Sequence, residues 1–104
     1  MRRFKEVLSD KFAKEVLGQE KVLLYIYLKG CSPCERLSET LGPIEGPEIM
    51  QMDAMANLEV ITEYNLEEMP GLMLFEAGKL RKKLEGAVLG NMSLDELKNS
   101  LGLD

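Results

Sequence analysis

Val22-Leu23-Leu24-Tyr25-Ile26-Tyr27-Leu28 is an unbroken apolar run of seven residues, rich in β-formers. A membrane-spanning helix needs ~20 apolar residues, and no stretch of this chain approaches that length. A short run without polar alternation reads instead as a strand buried on both faces. Such a strand belongs in the middle of an α/β sheet and needs helices on each side to cover it. Leu72-Met73-Leu74-Phe75 repeats the pattern far downstream. Ile49-Met50-Gln51-Met52 is a weaker version between the two.

Helical periods separate these runs. Cys34, Leu37 and Leu41 share one helix face, and Gly42-Pro43 stops that helix. Asn57 is placed to cap a short helix carrying Leu58, Ile61 and Tyr64, with Asn65 as its left-handed end. Ser93-Leu94-Asp95-Glu96 is a capping box that opens a helix with Leu94, Leu97 and Leu101 inward and Gly102 as its stop. Ala77-Gly78 predicts a tight turn after Phe75. The charged segment Leu80-Arg81-Lys82-Lys83-Leu84-Glu85 that follows predicts a protected edge strand. The first twenty residues fit one long helix over Phe4, Val7, Leu8, Phe12, Val16 and Leu17. They also fit a short strand over Phe4 to Leu8 and then a helix capped by Ser9 or Asp10 and closed by Gly18. Ser9-Asp10 is a natural helix start, which favours the second. The sum is one domain over residues 1–104, of the α/β class, with a mixed sheet of four or five strands and helices on both faces.

Composition removes whole classes of function. The chain has no histidine, which excludes histidine zinc sites, Ser-His and Cys-His pairs and histidine general bases. Two cysteines exclude a four-cysteine zinc or iron–sulfur site within one chain. Thirteen basic against eighteen acidic residues leave a net charge of −5. That opposes binding to nucleic acid or to an anionic membrane surface. Met1-Arg2-Arg3-Phe4-Lys5-Glu6 starts basic, but no apolar segment follows it, so no secretory signal is read and the cytoplasm is the expected location.

Cys31-Ser32-Pro33-Cys34 directly follows the buried strand and opens a helix. A helix N-terminus offers free N–H groups and a partial positive charge, and both favour thiolate over thiol. Pro33 suits the first helical turn, where its missing N–H costs nothing. Two intervening residues allow a small, reducible disulfide ring. Cys31, the more exposed, would attack a substrate disulfide. Cys34, a turn deeper, would attack the mixed disulfide and release the reduced substrate. Other readings of the motif stay open: half of a metal or iron–sulfur site shared across a dimer, or two cysteines without chemistry. Met69-Pro70 stands at the entrance of the strand Leu72 to Phe75, either as a boundary or as a cis-proline facing the cysteines.

These pieces together resemble thioredoxin over nearly the whole chain. The resemblance rests on the strand into Cys31-Ser32-Pro33-Cys34, on Asp53 before a helix ending in Tyr64-Asn65-Leu66, and on Met69-Pro70. It continues through Leu72-Met73-Leu74-Phe75-Glu76-Ala77-Gly78-Lys79-Leu80, Gly86-Ala87 and a terminal amphipathic helix. Pro70 lies 39 residues after Cys31, as the family's pattern requires. The resemblance implies a thioredoxin-like fold, a cis Pro70, and Met69 and Gly86 bordering the groove where substrate docks beside Cys31. It also marks departures. Gly30 and Ser32 stand in an active-site loop where the family usually carries tryptophan and glycine. The family's buried aspartate, which assists the resolving step, is Tyr25 here, its lysine partner is Gln51, and the usual threonine after the proline is Gly71.

The function expected is a thiol–disulfide oxidoreductase acting as a protein disulfide reductase, with Cys31 as nucleophile, Cys34 as resolving thiol and Tyr25 as a candidate modulator. No cofactor and no metal are needed for this chemistry. The partners expected are disulfide-containing proteins and a reductase or other dithiol electron donor, with the chain a monomer. The rival is a non-catalytic binding module on the same fold, or a metal or iron–sulfur site pooled between two chains. Met50, Met52 and Met55 could offer thioethers to Cu(I), but alternation on a strand makes Met50 and Met52 core fillers. Arg81-Lys82-Lys83 reads as a solvated edge, with an anionic docking patch as the sharper alternative. Glu35, Glu67 and Glu68 would oppose a Cys31 thiolate and Lys29 would favour it.

Overall fold

The computed structural model describes residues 4–103; the basic start Met1-Arg2-Arg3 lies outside them. Five strands form one sheet: β1 (Lys5–Glu6), β2 (Lys21–Tyr27), β3 (Glu48–Asp53), β4 (Gly71–Glu76) and β5 (Lys79–Glu85). Their spatial order is β1-β3-β2-β4-β5. β3 runs parallel to β1 and β2, whereas β4 is antiparallel to β2 and β5 antiparallel to β4. The expected mixed sheet is therefore present in its five-stranded form.

The apolar run is the central strand, and its residues divide by parity. Val22, Leu24 and Ile26 join Phe12, Val16, Met50, Met52, Val60, Met73 and Phe75 on one face of the sheet. Leu23 and Tyr25 join Leu37, Leu41, Leu72, Leu74, Leu97 and Leu101 on the other. A strand that contributes to two cores has no position for a polar residue, which is why the run is continuous. The second face is covered by α1 (Ser32–Leu41) and α3 (Leu94–Leu101). The first is covered by α2 (Leu58–Glu63) and the helical segment between Ser9 and Leu17. Burial of a leucine such as Leu37 or Leu97 contributes about 1.5–3 kcal/mol, and both are fully buried.

The local signals around α1, α3 and the hairpin are realised as read. Ser93 N–H donates to Glu96 Oε1 at 2.8 Å and Glu96 N–H donates to Ser93 Oγ at 3.1 Å, completing the capping box. Gly102 ends α3 at φ 74°. Ala77 and Gly78 take φ 51° and 79°, the two positive values that a tight hairpin turn between right-twisted strands requires.

Four local expectations change. The short strand is present as β1, but the segment after it is a 3₁₀ turn over Ser9–Lys11 running into a π-type turn over Ala13–Leu17. Neither Ser9 nor Asp10 caps it, because Ser9 N–H and Oγ are both directed to Asn57 Oδ1, at 2.7 and 3.1 Å. Asn57 therefore does not cap α2 with its side chain; it is buried and also donates to Asp53 O at 2.8 Å. Leu58 is 55% exposed, and Val60 is the buried residue of that six-residue helix. The basic edge run Arg81-Lys82-Lys83 lies exposed on the outer strand β5, as read, although Arg81 also reaches Glu76 at 3.6 Å and Lys83 donates to the carbonyls of Tyr64 and Asn65.

Candidate active site

β2 delivers the chain to α1 through Leu28, Lys29 and Gly30. Gly30 takes φ 74°, which only glycine adopts without strain. The turn it makes leaves Cys31 at the N-cap of α1 in extended conformation. There Cys31 Sγ accepts the Cys34 N–H at 3.3 Å, so one of the free amides of the helix start is aimed at the sulfur. Cys31 and Cys34 are joined as a disulfide, with Cα atoms 5.3 Å apart. Cys31 is partly exposed, while Cys34 is 1% exposed beneath it. A thiolate at Cys31 would be held by that amide and by the positive end of α1.

The first turn of α1 rests on a support that the sequence did not reveal. A 3₁₀ turn over Ala87–Asn91 packs against it so closely that a Cβ on Gly90 would stand 2.7 Å from Pro33 O and 2.8 Å from Pro33 Cα. Arg36 Nε donates to Gly90 O at 3.2 Å and fastens the two pieces. The only trace of this contact in the sequence is a glycine where no turn requires one.

Tyr25 lies under the site on the α1 side of β2 and pairs in register with Gln51 on β3, as the resemblance implies. Its hydroxyl is directed to a backbone carbonyl, donating to Cys34 O at 2.6 Å in a buried position. Burial, then the neighbouring charges of Tyr27 and Glu35, push the Tyr25 phenol well above its ordinary range, so it stays protonated. Gln51 carries no charge to replace a lysine. Its Nε2 donates to Glu6 Oε1 at 2.7 Å, beside a Tyr27 hydroxyl that donates to the same carboxylate.

The Met69–Pro70 peptide bond is cis. Gly86, at φ 110°, donates its N–H to Pro70 O at 2.9 Å and closes the end of the β4–β5 ladder. Met69 and Cys31 pack against the same core cluster as Cys34 and Leu72. The fold thus brings Cys31 and Cys34, Met69 and Pro70, and Gly86 together from three separate segments. Ser32 is exposed at the start of α1 and Pro33 is half-buried. The surrounding charge is acidic. Glu35, Glu67 and Glu68 are exposed, and Glu68 Oε1 lies 2.9 Å from where a Gly86 Cβ would stand. Lys29 Nζ, expected to favour the thiolate, lies 3.9 Å from Asp53 Oδ2.

Other candidates do not converge. Met50 and Met52 are core residues, as read, while Met55 is 69% exposed, so the three thioethers do not meet. Among the described residues, no group of three or more histidine, cysteine, aspartate or glutamate side chains could hold a metal ion. No helix among them is long and apolar enough to cross a membrane.

The thioredoxin family model matches residues 3–101. Thioredoxin Y2, chloroplastic, of Arabidopsis thaliana is 31% identical over 81% of this chain, which spans about half, 53%, of that relative's length. A thioredoxin of Rickettsia felis is 27% identical, covering 91% of this chain and 96% of its own. A thioredoxin-like protein of Synechocystis is 26% identical over 92% and 94%. A mutant thioredoxin from Halobacterium salinarum superposes with a TM-score of 0.76 over 93% of this chain and 86% of its own, at 22% identity, and so shares the fold. With the family matched along almost the whole chain and a bonded Cys31–Cys34 pair at the start of α1, the protein belongs to the thioredoxin family and is a thiol–disulfide oxidoreductase.

Proposed function

We propose that the chain works as a protein disulfide reductase. In the reduced form, the Cys31 thiolate attacks one sulfur of a substrate disulfide. A Cys31–substrate bond forms, the substrate S–S bond breaks, and one substrate thiolate leaves. Cys34 then gives up its proton and attacks Cys31 Sγ. The Cys31–Cys34 bond forms and the second substrate thiol is released. Two electrons have passed from the dithiol to the substrate, and no cofactor takes part. A reductase or another dithiol must return two electrons to the oxidised pair. Met69, Pro70 and Gly86 form the edge on which the substrate backbone docks.

The observation that carries this reading is the difference between the sulfurs: Cys31 partly exposed at the helix N-cap, and Cys34 buried one turn deeper. The direction of reaction follows from the charges. An oxidant of this kind owes its strength to a strongly stabilised reduced thiolate. Here the thiolate would have one amide and a helix end in its favour, against Glu35, Glu67 and Glu68, with Lys29 next to Asp53. A weakly stabilised thiolate keeps the disulfide form comparatively favourable and makes the dithiol a reductant. A reductant matches a reducing compartment, and we place the chain in the cytoplasm on that argument.

Reduction of insulin disulfides with dithiothreitol as electron source tests the activity. Cys34→Ser should stall at the first step and trap partners as mixed disulfides, while Cys31→Ser should trap none. If both variants keep wild-type turnover, the two-step mechanism is wrong.

A further inference from the structure

The edge strand β5 is tied to the loop that leads into the docking edge. Lys83 and Glu85 are two apart on β5 and so project to the same face. Glu85 pairs in register with Gly71, the residue after the cis-proline. Its side chain reaches back past that proline. Glu85 Oε1 accepts the Glu67 N–H at 2.7 Å and the Glu68 N–H at 3.0 Å, the two amides immediately before Met69. Lys83 Nζ donates to Tyr64 O at 3.0 Å and Asn65 O at 3.3 Å, and lies 3.8 Å from Glu85 Oε2. Four hydrogen bonds from two side chains therefore hold the chain from the end of α2 to the threshold of Met69.

Glu67 and Glu68 are exposed, so apolar packing does not fix their backbone. A carboxylate that accepts two amides is a charge-assisted anchor, roughly twice as strong as a neutral one. The Glu67 amide above all holds the Glu85 carboxyl below the usual carboxylate range, against the opposing effect of partial burial, with the Glu68 amide and Lys83 adding to it. The anchor is thus fully charged at neutral pH.

We propose that Glu85, braced by Lys83, is a positioning residue for substrate recognition, holding the Glu67–Glu68 backbone so that Met69 is presented to a docking disulfide-bearing polypeptide. This rests on the reading of Met69–Pro70 as the docking edge. A pre-ordered edge lowers the ordering cost of binding. A small disulfide that touches only Cys31 gains nothing from it.

The test compares Glu85→Ala and Glu85→Gln on two substrates, insulin and hydroxyethyl disulfide, with amide exchange of Glu67, Glu68 and Met69 followed by NMR. Glu85→Ala should raise KM for insulin about tenfold with kcat kept, the scale of one lost hydrogen bond to a charged group. Turnover of hydroxyethyl disulfide should stay within about twofold of wild type, since no docking interaction is lost there. Exchange at the three amides should quicken in Glu85→Ala. Glu85→Gln keeps an acceptor oxygen and should recover most of both effects. If Glu85→Ala does not fold, Glu85→Asp, one methylene too short to reach both amides, carries the same expectation. Equal losses on both substrates, an unchanged insulin KM, or a Glu85→Gln variant as damaged as Glu85→Ala would overturn the proposal. A wild type that reduces neither substrate refutes the oxidoreductase reading itself and removes the proposal with it, whatever the exchange rates show.

Discussion

Replacing Tyr25 with phenylalanine removes one oxygen from beneath the active-site helix and nothing else. The ring stays, with its stacked contact to Tyr27 at 5.6 Å and its edge contact to Phe4 at 6.3 Å. The hydrogen bond to Cys34 O, 2.6 Å long and buried, is lost. That carbonyl lies within α1, so the helical ladder still supplies it with a partner. The cost is then that of a net hydrogen bond, about 1 kcal/mol, and not the larger penalty of an orphaned buried group. For a domain of this size, that lowers Tm by about 4–8 °C. The phenol also adds a pH dependence. Its pKa is raised in the folded state, so its contribution is fully present below ~10 and is lost as pH rises above that value. Alkaline destabilisation should therefore be weaker in Tyr25→Phe, with Tyr64, also raised by burial, carrying part of the remainder.

The same substitution tests the resolving step. A hydroxyl that stays protonated and already donates to Cys34 O cannot accept the Cys34 proton. Resolution of a Cys31 mixed disulfide should then follow the ionisation of Cys34 itself. The rate should rise about tenfold per pH unit below the thiol's pKa, in wild type and in Tyr25→Phe alike. The chain has no tryptophan, so the assay is stopped-flow release of a dye-labelled peptide thiol between about pH 6 and 9, a window that reaches the ordinary thiol pKa of ~8.5 and stays below the phenol's ~10. A flat wild-type profile would show that another group supplies the base. A tenfold slower Tyr25→Phe would show that the hydroxyl reaches the Cys34 sulfur once the pair is reduced. An unchanged Tm would refute the hydrogen-bond arithmetic.

Gly90→Ala places a methyl group against the backbone of Pro33, where no side-chain rotation relieves it; the expected loss is about 1–3 kcal/mol in thermal or urea unfolding, with slower insulin reduction. Asn57→Ala strips a buried bridge between Ser9 and Asp53 and should cost about 1–3 kcal/mol, measured the same way. In the reduced protein, brief iodoacetamide treatment at neutral pH should label Cys31 and spare Cys34, as peptide mass spectrometry will show; preferential labelling of Cys34 would reverse the roles.

What could be read from the sequence was what local physics decides. The continuity of Val22–Leu28 required two covered faces, Ser93 and Glu96 are three residues apart on one chain, and Ala77-Gly78 supplies two positive φ values in succession. The C-x-x-C motif placed itself, since the strand before it and the helix after it were both visible. The features that escaped are partnerships across long separations. Ser9-Asp10 stands before a helical period, which makes either residue a natural cap, yet Asn57, 48 residues from Ser9, takes both the Ser9 N–H and its hydroxyl. Spacing turns Leu58 inward with Ile61 and Tyr64, but in the structure Val60 takes the buried position, Ile61 and Tyr64 pack partly buried against the same core, and Leu58 faces solvent. Lys83 and Glu85 looked like solvated charges on an edge strand because their partners lie 17 to 19 residues back, on a loop with no pattern of its own.

The departure at Tyr25 was visible in the sequence, but its consequence depended on geometry. A carboxylate under Cys34 would be costly to bury, and its charge would oppose a second negative charge on the sulfur. It could also take a proton. Tyr25 is neutral, so it does neither, and by bonding to the Cys34 carbonyl it ties β2 to the first turn of α1 instead. The polar partner across the strand has moved as well. Gln51 is turned to Glu6, and the Tyr27 hydroxyl joins them, so the charge that remains sits near the solvent edge at β1 and not below the cysteines. Neither Tyr25 nor Gln51 therefore offers the Cys34 proton a carboxylate to go to. On this arrangement the rate of resolution is set by the Cys34 thiol and by what stands above it, which is why the pH profile, and not the presence of a nearby base, distinguishes this chain's mechanism from one that relies on a buried aspartate.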